Sequence, residues 1–148
     1  MARIVQTSTP RQRIADGCAR HGTGALIAAC VALLQHRPDD VSDVLITVLG
    51  GEPARQVLDG GEGGKAGYWP RVWAARGLLH VWDASATEAI IGATQDEAWR
   101  VREMAAKVVA RHKVGDALDA VAALRTDNVD RVRAAATRAV TTLTAAGA

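Results

Sequence analysis

The sequence predicts an all-α protein of stacked helical hairpins, and three observations carry that prediction. The segment Trp69-Pro70-Arg71-Val72-Trp73-Ala74-Ala75-Arg76 returns 31 residues later as Arg100-Val101-Arg102-Glu103-Met104-Ala105-Ala106-Lys107, and after a further 31 as Arg131-Val132-Arg133-Ala134-Ala135-Ala136-Thr137-Arg138. A period of this length marks stacked helix pairs, because one pair alone cannot bury its apolar face. Apolar residues also recur at helical spacing inside a copy: Val101, Met104, Ala105, Val108 and Val109 form one stripe. Finally, Phe is absent and Tyr occurs once, while Ala, Val and Leu abound. A core of small side chains suits closely packed helices better than a sheet, where aromatic residues are enriched.

Each element has its own warrant. Residues 1–8 read as a frayed start. Thr9 before Pro10 is an N-cap with proline at the first helical position, opening a helix that runs to about His21. His21-Gly22-Thr23-Gly24 ends it. A second helix covers roughly 24–36. Its apolar residues Leu26, Ile27, Cys30, Val31, Leu33 and Leu34 wrap most of the circumference, so it is either covered on both sides or a subunit contact. Arg37-Pro38-Asp39-Asp40 opens a third helix, with acids in the first turn and an apolar face of Val41, Val44, Leu45, Val48 and Leu49. Gly50-Gly51 stops it, and 52–58 holds a short helical turn.

Residues 59–67 contain five glycines and read as a mobile loop. The loop superficially suggests phosphate binding, and the chemistry fails: a Walker A motif needs Gly where Asp59 stands and Ser or Thr where Ala66 stands, after a strand. Beyond it the chain is regular. One helix spans 68–82, and two pairs follow at 84–95 with 97–113 and 115–126 with 129–145. The first helix of each pair is called A and the second B. The whole chain, 1–148, is then a single domain. It comprises a degenerate N-terminal pair (9–36) and clear repeats at 38–82, 84–113 and 115–145, with the glycine-rich loop inserted in the first.

The runs Asp96-x-x-Trp99-Arg100-Val101-Arg102-x-Met104-Ala105-Ala106 and Asp127-x-x-Asp130-Arg131-Val132-Arg133-Ala134-Ala135-Ala136 resemble HEAT-like repeats of the kind first noted in phycobilisome lyases. The resemblance is good over 68–148, acceptable over 38–50 and loose before that. It implies a right-handed α-solenoid with A helices on the convex side and B helices lining a concave groove. Members are mostly protein-binding scaffolds, some are chromophore-handling lyases, and a DNA glycosylase family cradles duplex DNA on similar repeats. In the family the conserved-register Asp, here Asp96 or Asp127, often pairs with the Arg that here is Arg102 or Arg133, building a ladder between repeats. The first clear repeat keeps Arg71 but has Lys65 at the Asp position.

Physical reasoning adds to this. Ala74, Ala105 and Ala136 share one register, where a larger side chain would push hairpins apart. Asp96 and Asp127 stand where the following helix needs an N-cap. Net charge is only +2, yet it is polarised. The B helices (68–82, 98–113, 129–144) carry +8, while the A segments (83–97, 114–128) carry −6. A one-sign concavity focuses potential and draws anionic partners. Arg76, Lys107 and Arg138 form one row, and Trp69, Arg100 and Arg131 a second, at a repeat distance of ~10 Å. These six are the candidate partner-binding residues. An acidic protein segment is the expected partner, with nucleic acid as the alternative and a merely solvated face as the bland reading. Trp69 is either an exposed anchor or covered by the loop or the N-terminal pair, whereas Trp73, in register with Met104 and Ala135, belongs to the core.

No catalytic constellation stands out. His21, His36, His80 and His112 are scattered, no metal-ligand spacing occurs, and no cofactor is implied. Glu103 is the one weak general-acid candidate on a B helix, and an ion pair with Arg100 or Lys107 accounts for it more simply. Cys18 and Cys30 read as reduced thiols of a cytoplasmic protein. The first ten residues have no apolar h-region and do not read as a signal peptide, and the apolar run 25–34 reads as too short to span a bilayer.

Overall fold

The computed structural model describes residues 8–146, and every regular element among them is helical. The frayed start lies outside the described residues except for Ser8. The α-helices are α1 (Pro10–His21), α2 (Thr23–Leu34), α3 (Asp43–Gly50), α4 (Pro53–Leu58), α5 (Tyr68–Gly77), α6 (Thr87–Ala93), α7 (Trp99–His112), α8 (Leu118–Ala123) and α9 (Asp130–Ala146).

Local chemistry sets their ends. Thr9 closes a reciprocal capping box on α1. Its hydroxyl accepts from Gln12 N at 3.2 Å, and the Gln12 side chain accepts from Thr9 N at 3.0 Å. The third helix starts later than the sequence suggests. Pro38–Asp40 makes only a 3₁₀ turn, Val41 is extended and buried, and Ser42 caps α3 by accepting from Leu45 N at 3.3 Å. A hydroxyl that can reach the third helical N–H outcompetes the acidic turn before it. Val44, assigned to the apolar face, is 59% exposed.

Helices α5, α7 and α9 pack side by side as one layer, with α6 against α7 and α8 against α9. Ala74, Ala105 and Ala136 are all fully buried in this layer. Their methyl groups allow backbones to approach closely. N-terminal to the layer, α2 packs on α1, α5 and α6, which covers the buried Leu26, Ile27, Cys30, Leu33 and Leu34. Each such side chain stabilises the fold by about 1.5–3 kcal/mol through burial. Helix α3 packs on α1 and α5. Burial also pushes the Cys30 thiol up to about 12, with the nearby Cys18 adding to the effect.

The join between the N-terminal helices and the repeats depends on two glycines. A Cβ at Gly50 would fall 2.5 Å from the Trp73 ring, and one at Gly77 would fall 2.8 Å from Leu49. Trp73, where the next repeats have Met104 and Ala135, thus fits because Gly50 leaves room for it. The Gly50→Ala variant should lose about 1–3 kcal/mol in urea denaturation, despite the helix propensity it gains. Gly92→Ala, in α6 with nothing within 4 Å of the added methyl, should gain about 0.5–1 kcal/mol. Equal effects of the two substitutions would contradict this account.

Candidate functional site

An arginine–aspartate ladder runs along the repeats and holds the candidate surface in place. Arg71 binds Asp96 through two parallel bonds, Nε to Oδ2 at 2.8 Å and Nη2 to Oδ1 at 3.2 Å. Thirty-one residues on, Arg102 repeats this on Asp127 at 2.8 and 3.2 Å. The third nitrogen turns back to the loop of its own repeat. Arg71 Nη1 donates to Gly67 O at 3.2 Å, Arg102 Nη1 to Asp96 O at 2.8 Å, and Arg133 Nη1 to Asp127 O at 2.6 Å. Each aspartate is therefore gripped twice: its carboxylate by the preceding repeat, its carbonyl by its own.

This corrects the pairing read from the sequence in two ways. The carboxylate goes to the arginine of the preceding repeat, so Arg71 is a full member of the ladder. Lys65 is not its deficient partner; it binds Asp43 on α3 at 3.1 Å. Asp96 and Asp127 are also not N-caps in the strict sense. Ala98 holds that position before α7, and the carboxylates accept from N–H groups two residues on, Ala98 and Val129, both at 2.9 Å. Arg133 pairs with Asp130 on its own helix.

The Arg71–Asp96 pair is nearly dry, with side-chain exposures of 6% and 1%. His36 Nε2 stands 3.6 Å from the same carboxylate. A pair this buried contributes less as net stability than as a constraint, since removing one partner strands the other charge.

The glycine-rich segment is folded rather than free. Gly64 N donates to Gly61 O, and Gly67 N to Gly64 O. The Gly67 carbonyl takes Arg71, and Lys65 fastens the loop to α3. The loop borders an open hollow of about 530 Å³ that Tyr68, Arg71, Trp99 and Arg100 also line.

Beside this hollow lies an aromatic and cationic platform. Tyr68 and Trp69 have ring centroids 5.0 Å apart, and Trp69 stacks on buried Trp73 at 6.5 Å. The exposed Arg100 guanidinium sits 4.5 Å from the Trp99 ring, 5.5 Å from Trp69 and 6.0 Å from Tyr68. The Arg131 guanidinium lies 5.4 Å from the same Trp99 ring. Trp69 is thus half-buried, covered by its own neighbours and Arg100.

The remaining predicted cations behave differently from one another. Arg131 Nε donates to Glu103 Oε2 at 2.8 Å, and Lys107 Nζ stands 3.8 Å from the same oxygen. Glu103 is buried, so this acid anchors Arg131 and Lys107; of the two partners expected for it, Lys107 is beside it and Arg100 lies on the rings instead. Arg76 is partly buried and donates to Leu49 O at 3.0 Å, which turns it toward the end of α3. Arg138 is exposed on α9. The platform residues Tyr68 and Trp99 were not singled out from the sequence. They stand 31 residues apart in one register, and that spacing was the signal. Among the described residues, no cluster of His, Cys, Asp and Glu could hold a metal ion, and no single helix is long and apolar enough to cross a membrane.

The family described as HEAT repeats matches residues 67–141. That is half of the chain, and it covers the layer α5–α7–α9 with the ladder. The chain belongs to the HEAT-repeat family. No curated protein and no solved structure matches it.

The ladder has a consequence in acid. Burial works to raise the Asp127 carboxyl, but the bonds from Arg102 and Val129 and the charges of Arg102 and Arg133 outweigh it and hold it below the ordinary carboxylate range. A lowered folded-state value means stability that is present above the unfolded value of about 3.9 and lost as pH falls through the folded one. The urea midpoint should therefore fall on acidification below about pH 5, and Asp127→Asn should reduce that dependence while lowering stability at neutral pH. An unchanged acid profile in the variant would count against the ladder's role. At the drier rung, Asp96→Ala should cost about 3–5 kcal/mol in the same assay.

Proposed function

We propose that this protein is a non-enzymatic interaction scaffold. A right-handed solenoid of about four hairpins presents the layer α5–α7–α9 as the basic wall of a groove, and an acidic segment of another protein docks there. HEAT repeats commonly mediate protein interaction, and the chain belongs to that family. The observation that carries the finer reading is Arg100. It is exposed, lies over three aromatic rings, and among the described residues has no carboxylate partner. A guanidinium held this way costs little ordering entropy when an incoming carboxylate pairs with it. The half-buried rings beneath it supply apolar contact area of the kind that anchors interfaces. Arg131, fixed by Glu103, flanks it, while Lys107 and Arg138 extend the positive face. The free thiols Cys18 and Cys30 suit a reducing compartment such as the cytoplasm.

The alternative, a nucleic-acid-binding protein on the same groove, has less support. A phosphate backbone needs an unbroken track of free cations. Here Arg71 and Arg102 point into the ladder, Arg76 onto the end of α3, and Glu103 sits between Lys107 and Arg131.

The test is a titration of tryptophan fluorescence with a short Glu-rich peptide that also carries one aromatic residue, with labelled duplex DNA in parallel. The peptide should bind, and both Trp69→Ala and Arg100→Gln should weaken it about tenfold or more, the scale of a hot-spot loss near 1.4 kcal/mol. Peptide binding indifferent to both substitutions would remove the platform from the account. Duplex binding with a log–log salt slope of about −0.9 per phosphate contact would favour the alternative.

A further inference from the structure

A second cationic cluster lies at the opposite end of α5 and α7, away from the aromatic platform. His80 and Arg111 occupy one register, 31 residues apart, and both are exposed. Arg76 precedes His80 by four residues, as Lys107 precedes Arg111. Helix α1 packs on α5 from the other side and brings Arg11 and Arg13. Two of these groups are fixed. Arg13 Nε donates to Val48 O at 3.3 Å and Arg76 Nη2 to Leu49 O at 3.0 Å, both on the last turn of α3. The negative end of that helix holds the cations, yet it supplies only partial charge.

No full negative charge answers them. Among the described residues, Arg11, Arg13, Arg76 and Arg111 have no carboxylate at ion-pair distance. Arg76 Nε is buried without any acceptor. His80 responds to the crowding: partial burial and then the charges of Arg111, Arg11 and Arg76 hold its imidazole below the ordinary histidine value. The arrangement contrasts with the rest of the layer, where each buried arginine is matched by an aspartate.

We propose that this cluster binds the phosphoryl group of a phosphorylated side chain in a protein segment. One carboxylate matches one arginine, as in each rung of the ladder. Several cations that the packing of α1, α5 and α7 brings to one end of the layer, with no acid among the described residues at ion-pair distance, match a group with charge near −2 and three acceptor oxygens, which is a phosphomonoester. A nucleic-acid backbone fits less well, because the cations form one cluster instead of a track. The inference rests on the interaction reading only for the source of the segment; the anion chemistry stands on the cluster itself.

The experiment follows the His80 imidazole by NMR at neutral pH while a short phosphoserine peptide or its unphosphorylated twin is added. The phosphopeptide should shift His80 saturably and the twin should not. Arg111→Gln, which removes a side chain with no hydrogen bond or ion pair among the described residues, should weaken the effect about tenfold or more. Arg125→Gln, an exposed arginine on another element, should leave it within about twofold. No shift at His80, equal shifts from both peptides, or equal weakening by both variants would overturn the proposal. Tighter binding of duplex oligonucleotide than of phosphopeptide would overturn it in favour of a nucleic-acid site. A His80 response alongside acidic-peptide binding that ignores Trp69→Ala would instead sink the aromatic platform and leave this site standing.

Discussion

Every exposed feature of the repeat layer depends on the double grip that arginines exert on Asp96 and Asp127. Contacts between small apolar side chains constrain the orientation of a hairpin only through shape, with tens of degrees of scatter in the packing angle. The bidentate bond fixes angle as well as distance. It also joins a side chain of one repeat to the loop of the next, and the returned Nη1 bond ties that loop to its own helix. Relative placement of α5, α7 and α9 is thus set by charge-assisted hydrogen bonds, while their cohesion comes from burial.

The same arrangement decides which cations remain for a partner. Half-turn spacing along each helix sends Arg71, Arg102 and Arg133 inward and leaves Arg100, Arg131 and Arg138 on the outer face. Glu103 then divides that face. It holds Arg131 and Lys107 by one carboxylate, whereas Arg100, over the rings of Tyr68, Trp69 and Trp99, and Arg138 on α9 have no carboxylate partner among the described residues. A uniform basic stripe on paper becomes a set of cations in unlike surroundings, with Arg100 over aromatic rings and Arg131 and Lys107 on a carboxylate.

Much of this was legible before any coordinates. The 31-residue period, the alanine register and the helix starts at Thr9 and Tyr68 are local or periodic signals, and those survive translation into structure. What was misread depended on direction across the repeat boundary. Aligning Asp96 and Lys65 in one register is correct as alignment, yet the alignment is silent on whether Arg102 or Arg71 reaches Asp96. Arg76 stands apart from its register mates for a related reason. Its place in a row with Lys107 and Arg138 hid that Arg76 reaches a carbonyl at the end of α3. The glycine-rich segment looked unrestrained because glycine composition reports backbone freedom and not the carbonyl that Arg71 finds at Gly67.

The fit between Trp73 and Gly50 marks where modularity stops. Beyond α5 each interface repeats in kind, with an alanine register, an aspartate and an arginine, so a hairpin there is interchangeable in form with its neighbour. At α3 the interface is a single matched shape, a large ring against a missing methyl. The protein therefore joins a translatable series, in which one interface pattern recurs from α5 to α9, to a single matched socket where Trp73 meets Gly50.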